Sequence, residues 1–210
     1  MPCMGHPESE LTVVFAAGPN RFEAMSLWLA RSVDAVSNHA LMVFVPKREE
    51  AAMSEGALTE LRELSTELVI GEVTIPEYGQ SAKLDAFVAA KDRFEPPYLL
   101  LDTDTLLLDP IQSPLDGRDV VAKPVDMGAQ FWGSDAARAK WEELYTTHGF
   151  EFPDAVVKTT VDEREIVPYF NAGVVGTNVR SFPDRWLNLT KSVYEKIDHA
   201  FFSDQVALAI

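Results

Sequence analysis

Two carboxylates one residue apart, Asp102 and Asp104, follow directly on the apolar run Tyr98-Leu99-Leu100-Leu101. Short apolar runs of this kind read as buried strands, so the pair emerges where a strand leaves the core. Carboxylates this close repel one another, and sharing a cation is the simplest relief. A divalent metal carrying a phosphate is the chemistry the spacing suggests first. A second reading stays open, in which Asp102 or Asp104 caps backbone amides at a strand-to-turn junction. A further apolar run, Leu106-Leu107-Leu108, comes next and places the pair within hydrophobic structure instead of a polar loop.

The elements that must position these residues are legible from periodicity. Leu11 to Ala17 is a β-branched and apolar run ending in Gly18-Pro19-Asn20, a strand and a turn. Phe22 to Val36 repeats apolar residues at helical spacing. Leu41 to Val45 predicts a second strand closed by Pro46, and Glu49 to Thr66 is helix-prone with a break at Gly56. Glu67 to Ile75 is extended, and Gln80 to Arg93 has the spacing of an amphipathic helix leading to the strand before Asp102. Alternating strands and helices imply an α/β fold with a mostly parallel central sheet covered on both faces. Open sheets of this kind take their ligands at the carboxyl ends of strands, which is where Asp102 falls.

The second half is less regular. Val120-Val121-Ala122 predicts a strand, Asp135 to Tyr145 a helix, and Pro153 to Ile166 shows no clear period. Phe170 to Gly176 reads as a strand carrying Asn171 and two glycines, and a strand glycine marks a bulge or a close approach. Asp184 to Ile197 predicts an amphipathic helix, and Ser203 to Ile210 a last one, with Ser203 as N-cap and Asp204 in its first turn.

Composition narrows the partners. The 210 residues suffice for one sizeable core, and 18 Lys and Arg against 33 Asp and Glu leave a net charge of −15. A nucleic acid polymer needs a basic surface that this balance does not supply, and a small phosphorylated ligand needs local positive charge or a metal. The acidity is compatible with a high-salt habitat. The one cysteine, Cys3, lies in an N-terminal segment, residues 1–10, expected to be a disordered tail, so no disulfide shapes the fold. That segment lacks the basic flank and apolar core of a secretory signal, and no apolar stretch reaches transmembrane length. The expectation is a soluble, cytoplasmic protein, in which the sequon Asn188-Leu189-Thr190 reads as coincidence.

Ser81-Ala82-Lys83-Leu84, Leu99 to Thr105, Phe170-Asn171-Ala172-Gly173-Val174 and Asp204-Gln205 occur in the order found in nucleotide-sugar glycosyltransferases. The chain resembles most the retaining, metal-dependent GT-A-fold group that includes glycogenin and bacterial lipopolysaccharide hexosyltransferases, across residues 11–210. The resemblance implies that Asp102 and Asp104 hold manganese or magnesium, with Asp102 and Thr103 also near the nucleotide and Lys83 adding positive charge at the phosphates. It implies that Asn171, Ala172 and Gly173 line the sugar pocket, where glycine lets the main chain come close. Asp204 and Gln205 become the catalytic pair, contacting the donor sugar near its reacting carbon. Ala16 and Ala17 would touch the base, and Phe22 falls near a position where the family places a stacking tyrosine. The implied partners are a nucleoside diphosphate sugar donor and an unidentified acceptor.

The sequence departs from that family in one respect. The third metal ligand is a histidine well downstream of the Asp-Gln pair, whereas the sequence here ends at Ile210, and none of His6, His39, His148 and His199 matches it. Another group completes the shell, the chain is truncated at its C-terminus, or this member is degenerate; two aspartates alone imply weak metal binding. Two other functions compete. An apolar strand followed by Asp-x-Asp-x-Thr is also the nucleophile motif of haloacid-dehalogenase-like phosphatases, with Lys123 or Lys158 as the required lysine. A nucleotide-sugar-binding domain without turnover would keep the fold and lack the chemistry.

Overall fold

The computed structural model describes residues 11–111, 115, 117–128, 131–197 and 200–210. The expected tail, with Cys3 and His6, and also His199, lie outside the described residues. In chain order the elements begin β1 (Thr12–Ala16), α1 (Arg21–Val36), β2 (Ala40–Pro46), α2 (Lys47–Glu50), α3 (Glu55–Leu64) and β3 (Glu67–Gly71). Next come α4 (Ser81–Lys91), β4 (Tyr98–Leu101), β5 (Val120–Pro124) and, after two short 3₁₀ turns, α5 (Arg138–Thr147). The chain closes with β6 (Val157–Lys158), β7 (Glu165–Ile166), β8 (Phe170–Thr177), α6 (Phe182–Tyr194) and α7 (Ser203–Ala209).

Six strands form one sheet in the order β3-β2-β1-β4-β8-β5. The first four run parallel, and β8 is antiparallel to both β4 and β5. Alternate residues of the central strands enter two different cores, as strand geometry requires. Val14, Met42 and Leu100 face one core with α4, α6 and α7, whereas Val13, Phe15, Val43, Leu99 and Leu101 face the other with Leu29 and Val33 of α1 and Leu61 of α3. Helices therefore cover both faces, as the alternation of elements predicts. Among the described residues no helix is long and apolar enough to cross a membrane.

Several local expectations change. The helix-prone stretch after β2 breaks at Ala51–Ser54 instead of Gly56, because Ser54 caps α3 by accepting the Ala57 N–H at 3.2 Å. Helix α4 is not one-sided: Ser81, Lys83, Leu84, Asp85, Ala86, Phe87, Ala89 and Ala90 are all buried. It lies between the sheet and α6, with Phe87 packed edge-on against Trp186 at 6.2 Å and Phe182 at 6.3 Å. The apolar run after Asp104 is not core, since Leu106 and Leu108 are 53% and 78% exposed and only Leu107 packs inward. Ser203 is the first residue of α7, and its hydroxyl donates to Ala200 O at 2.6 Å instead of capping the helix. The segment without a clear period holds the β6–β7 hairpin, two strands too short to show alternation.

The register of β8 matters most for function. Between Ala122↔Val175 and Lys123↔Asn171 the β5 pairing slips, so Ala172, Gly173 and Val174 arch away from β5 while Val174 stays paired with Leu101 of β4. That bulge delivers the backbone of Gly173 to the end of β4.

Candidate functional site

Asp102 is the first residue beyond β4, and its N–H donates to Gly173 O at 2.7 Å, extending the antiparallel ladder by one rung. A Cβ on Gly173 would sit 2.9 Å from both Asp102 Oδ2 and Asn171 Oδ1, a distance no folded structure tolerates without displacement. The Asn171 carboxamide accepts the Gly173 N–H at 2.7 Å and fixes the bulge. Thr103 turns the other way and donates to Ala16 O at 2.9 Å, tying the acidic turn to the end of β1. The turn closes with Thr105 N–H on Asp102 O at 3.0 Å, leaving Asp104 exposed.

Lys83, in the first turn of α4, is buried and reaches two carboxylates. Its Nζ lies 3.2 Å from Asp102 Oδ1 and 2.7 Å from Asp204 Oδ2. The contact to Asp204 is an ion pair, and among the described residues no hydrogen bond is assigned to that oxygen. Asp204 itself is only 2% exposed. Its other oxygen accepts the Tyr78 hydroxyl at 2.6 Å, its N–H donates back to Tyr78 Oη at 3.0 Å, and its carbonyl accepts Trp186 Nε1–H at 2.8 Å. A continuous polar chain, Tyr78–Asp204–Lys83–Asp102, thus runs from the interior to the carboxyl end of β4.

Burial and charge act against each other along this chain. Desolvation raises the Asp102 carboxyl above its ordinary value, and the Lys83 ammonium only partly opposes it. Burial alone would lower the Lys83 pKa, but the charges of Asp204 and then Asp102 outweigh it and hold the ammonium above the usual lysine value. Burial, then the Asp204 charge, pushes the Tyr78 phenol far up, so Tyr78 stays a donor.

The structure brings together Lys83, Asp102, Thr103, Asp204, Asn171, Gly173 and Ala16. Ala17 and Ala172 are buried beside them, with Ala17 N–H bonded to Phe44 O at 2.8 Å. Phe22 is 42% exposed at the start of α1 and takes the Arg21 guanidinium 4.8 Å above its ring, with no bond to the Lys83 cluster. Gln205 is half-buried on α7 and Asp104 exposed; neither is bonded to the cluster. Tyr78 is the residue that sequence reasoning missed, since it sits in a turn before α4 without periodic neighbours.

Among the described residues no three or more His, Cys, Asp or Glu group together as a metal-binding set. His39 faces Ile111 O at 3.2 Å, and His148 is engaged by Leu144 O and Ser192 Oγ. Asp102 pairs with Lys83 and with neither lysine of the phosphatase reading: Lys123 pairs with Asp126 at 2.6 Å, and Lys158 is exposed on β6.

Known proteins share the fold that carries this site. The galactosyltransferase LgtC, solved with donor and acceptor sugar analogues, superposes with a TM-score of 0.55 at 16% identity over 94% of this chain and 70% of LgtC. Mouse xyloside xylosyltransferase 1 gives 0.51 at 14% identity over 94% of this chain and 79% of its own. GlyE of Streptococcus pneumoniae gives 0.51 at 14% identity over 95% and 43%. At these identities the likeness is one of fold. No curated protein sequence matches. A family described as the Rhodobacterales glycosyltransferase domain matches residues 13–210. The chain belongs to that glycosyltransferase family and has the GT-A type of fold.

Proposed function

We propose that this protein transfers a hexose from a nucleoside diphosphate sugar to an acceptor, with a divalent metal, Mn or Mg, and with retention of anomeric configuration. The observation that carries the reading is Lys83, buried 3.2 Å from Asp102 and 2.7 Å from Asp204 at the carboxyl end of β4. In a chain of net charge −15, that ammonium is a fixed positive charge where a diphosphate needs one.

Asp102 and Asp104 would hold the metal. Magnesium-like cations are commonly held by one or two carboxylates, with phosphate oxygens and water completing the shell, and this donor set fits that pattern. When bound, the ion stabilises the departing nucleoside diphosphate as a Lewis acid. Lys83 balances the same charge from the protein side. Asp204, buried and oriented by Tyr78, acts by holding Lys83, and Gln205 is the member of the pair that meets the sugar hydroxyls. Asn171 keeps the bulge in shape, so that the backbone of Ala172 and Gly173 lines the sugar pocket. Ala16, Ala17, Thr103 and Phe22 serve the nucleoside. A cytoplasmic location agrees with one cysteine in 210 residues.

The test is release of nucleoside diphosphate from UDP- and GDP-hexoses with manganese. Turnover that falls at least about a hundredfold in Asp104→Ala supports the transferase. Phosphate release from a simple phosphomonoester would support the phosphatase reading, and metal-dependent binding without turnover the binding domain.

A further inference from the structure

We infer that Tyr169 is a second positioning residue of the site: its buried hydroxyl donates, through one interior water, to Asp204 Oδ2 and so helps to hold Lys83 against Asp102. The effect of this link on ligand binding rests on the nucleotide-sugar reading.

Tyr169 immediately precedes β8, and its carbonyl accepts the Val125 N–H at 3.2 Å. Helix α7, which carries Asp204, packs on β8, and Tyr169 shares one core with Val206 and Ala207 of that helix. The ring is fully buried against Trp141, with centroids 5.7 Å apart. Its hydroxyl is closed off from solvent and, among the described residues, has no hydrogen-bond partner. The other polar groups of this core are committed: Trp141 Nε1–H donates to Trp132 O at 2.8 Å, the Tyr145 hydroxyl to Ala209 O, and Trp186 Nε1–H to Asp204 O at 2.8 Å.

Asp204 Oδ2 is the complementary group. It is buried and ion-paired with Lys83 at 2.7 Å, and among the described residues no hydrogen bond is assigned to it. A carboxylate oxygen accepts at about two sites, so one remains beside Lys83. Burial first, and then the Asp204 charge, raises the Tyr169 phenol above its ordinary value, which keeps its proton available for donation. A buried donor and a buried acceptor left unmade each cost free energy, and one water that accepts from Tyr169 and donates to Asp204 satisfies both. Tyr78 already fixes Oδ1 at 2.6 Å. With Oδ2 fixed as well, the carboxylate cannot swing about that bond, and Lys83 stays between Asp204 and Asp102, 3.2 Å from Asp102 Oδ1.

The experiment compares Tyr169→Phe and Tyr145→Phe with the wild type, by urea unfolding and by titration of UDP, GDP and pyrophosphate, each with manganese. Both variants delete one core hydroxyl, but Tyr145 bonds to Ala209 O and serves as the structural control. Tyr169→Phe raises the unfolding constant at least about fivefold and weakens pyrophosphate at least about threefold, the range of one lost hydrogen bond. Tyr145→Phe loses stability and keeps the affinity. A crystal structure of the wild type shows one ordered water within hydrogen-bond reach of Tyr169 Oη and Asp204 Oδ2. An unpaired hydroxyl predicts the opposite sign, because its removal leaves stability unchanged or raises it. That sign, an affinity unchanged in Tyr169→Phe or lowered as far in Tyr145→Phe, or no such water, overturns the inference alone. Failure of the wild type to bind nucleotides and pyrophosphate overturns the donor-site reading and the positioning role with it.

Discussion

Tyr78 and Asp204, 126 residues apart in sequence, exchange hydrogen bonds: the phenol donates to Oδ1 at 2.6 Å and accepts the Asp204 N–H at 3.0 Å. Both partners are buried, so Asp204 enters its ion pair with Lys83 in one orientation only. Tyr78→Phe removes the donor and leaves a buried carboxylate oxygen unpaired, which costs about 1–3 kcal/mol. Urea unfolding at neutral pH measures that loss directly.

The same residues set an alkaline limit on stability. Tyr78 and Tyr169 hold their protons above the ordinary tyrosine value, first through burial and then through the Asp204 charge. Lys83 holds its proton above the ordinary lysine value because its two carboxylates outweigh burial. Below about pH 10 both folded and unfolded chains are protonated at these sites and the stabilisation is complete. Above it the unfolded chain gives up its protons first, so stability falls with rising pH. Urea midpoints measured from pH 8 upward show the fall, and Tyr78→Phe makes it shallower by up to about 1.4 kcal/mol per pH unit, the share of one proton.

Gly173 is a steric requirement of the site. Gly173→Ala sets a methyl 2.9 Å from Asp102 Oδ2 and Asn171 Oδ1, displacing Asp102 or the bulge. Overpacking of this kind costs about 1–3 kcal/mol, and displacement of Asp102 lowers nucleotide affinity in addition. Gly149→Ala gives the contrasting control, because its φ of 80° strains the backbone with nothing within 4 Å of the new methyl. Thermal melts show both losses, and calorimetry with nucleotide shows an affinity loss for Gly173→Ala only.

Much of the site is legible in the sequence because its parts are local. Asp102 and Asp104 announce themselves by following a buried strand, and the glycines of β8 signal the close approach that Gly173 makes to Asp102. The sheet is legible because β1, β2 and β4 are apolar on both faces. What escapes is relational. Tyr78 gains its role only through a partner on α7. The run Leu106-Leu107-Leu108 misleads because hydrophobicity alone does not distinguish a core strand from an exposed loop. Helix α4 misleads for the opposite reason: its spacing reads as amphipathic, but salt bridges and hydrogen bonds allow Lys83 and Asp85 to be buried as well.

The most direct test of the central claim is calorimetric titration of UDP, GDP and their hexose derivatives, with manganese present, into the wild type and Lys83→Met. The account predicts binding that requires the metal and weakens at least about tenfold when the Lys83 charge is removed, as for loss of one charge-assisted contact. Failure of every one of these ligands to bind the wild type, or binding unaffected by Lys83→Met, would contradict it.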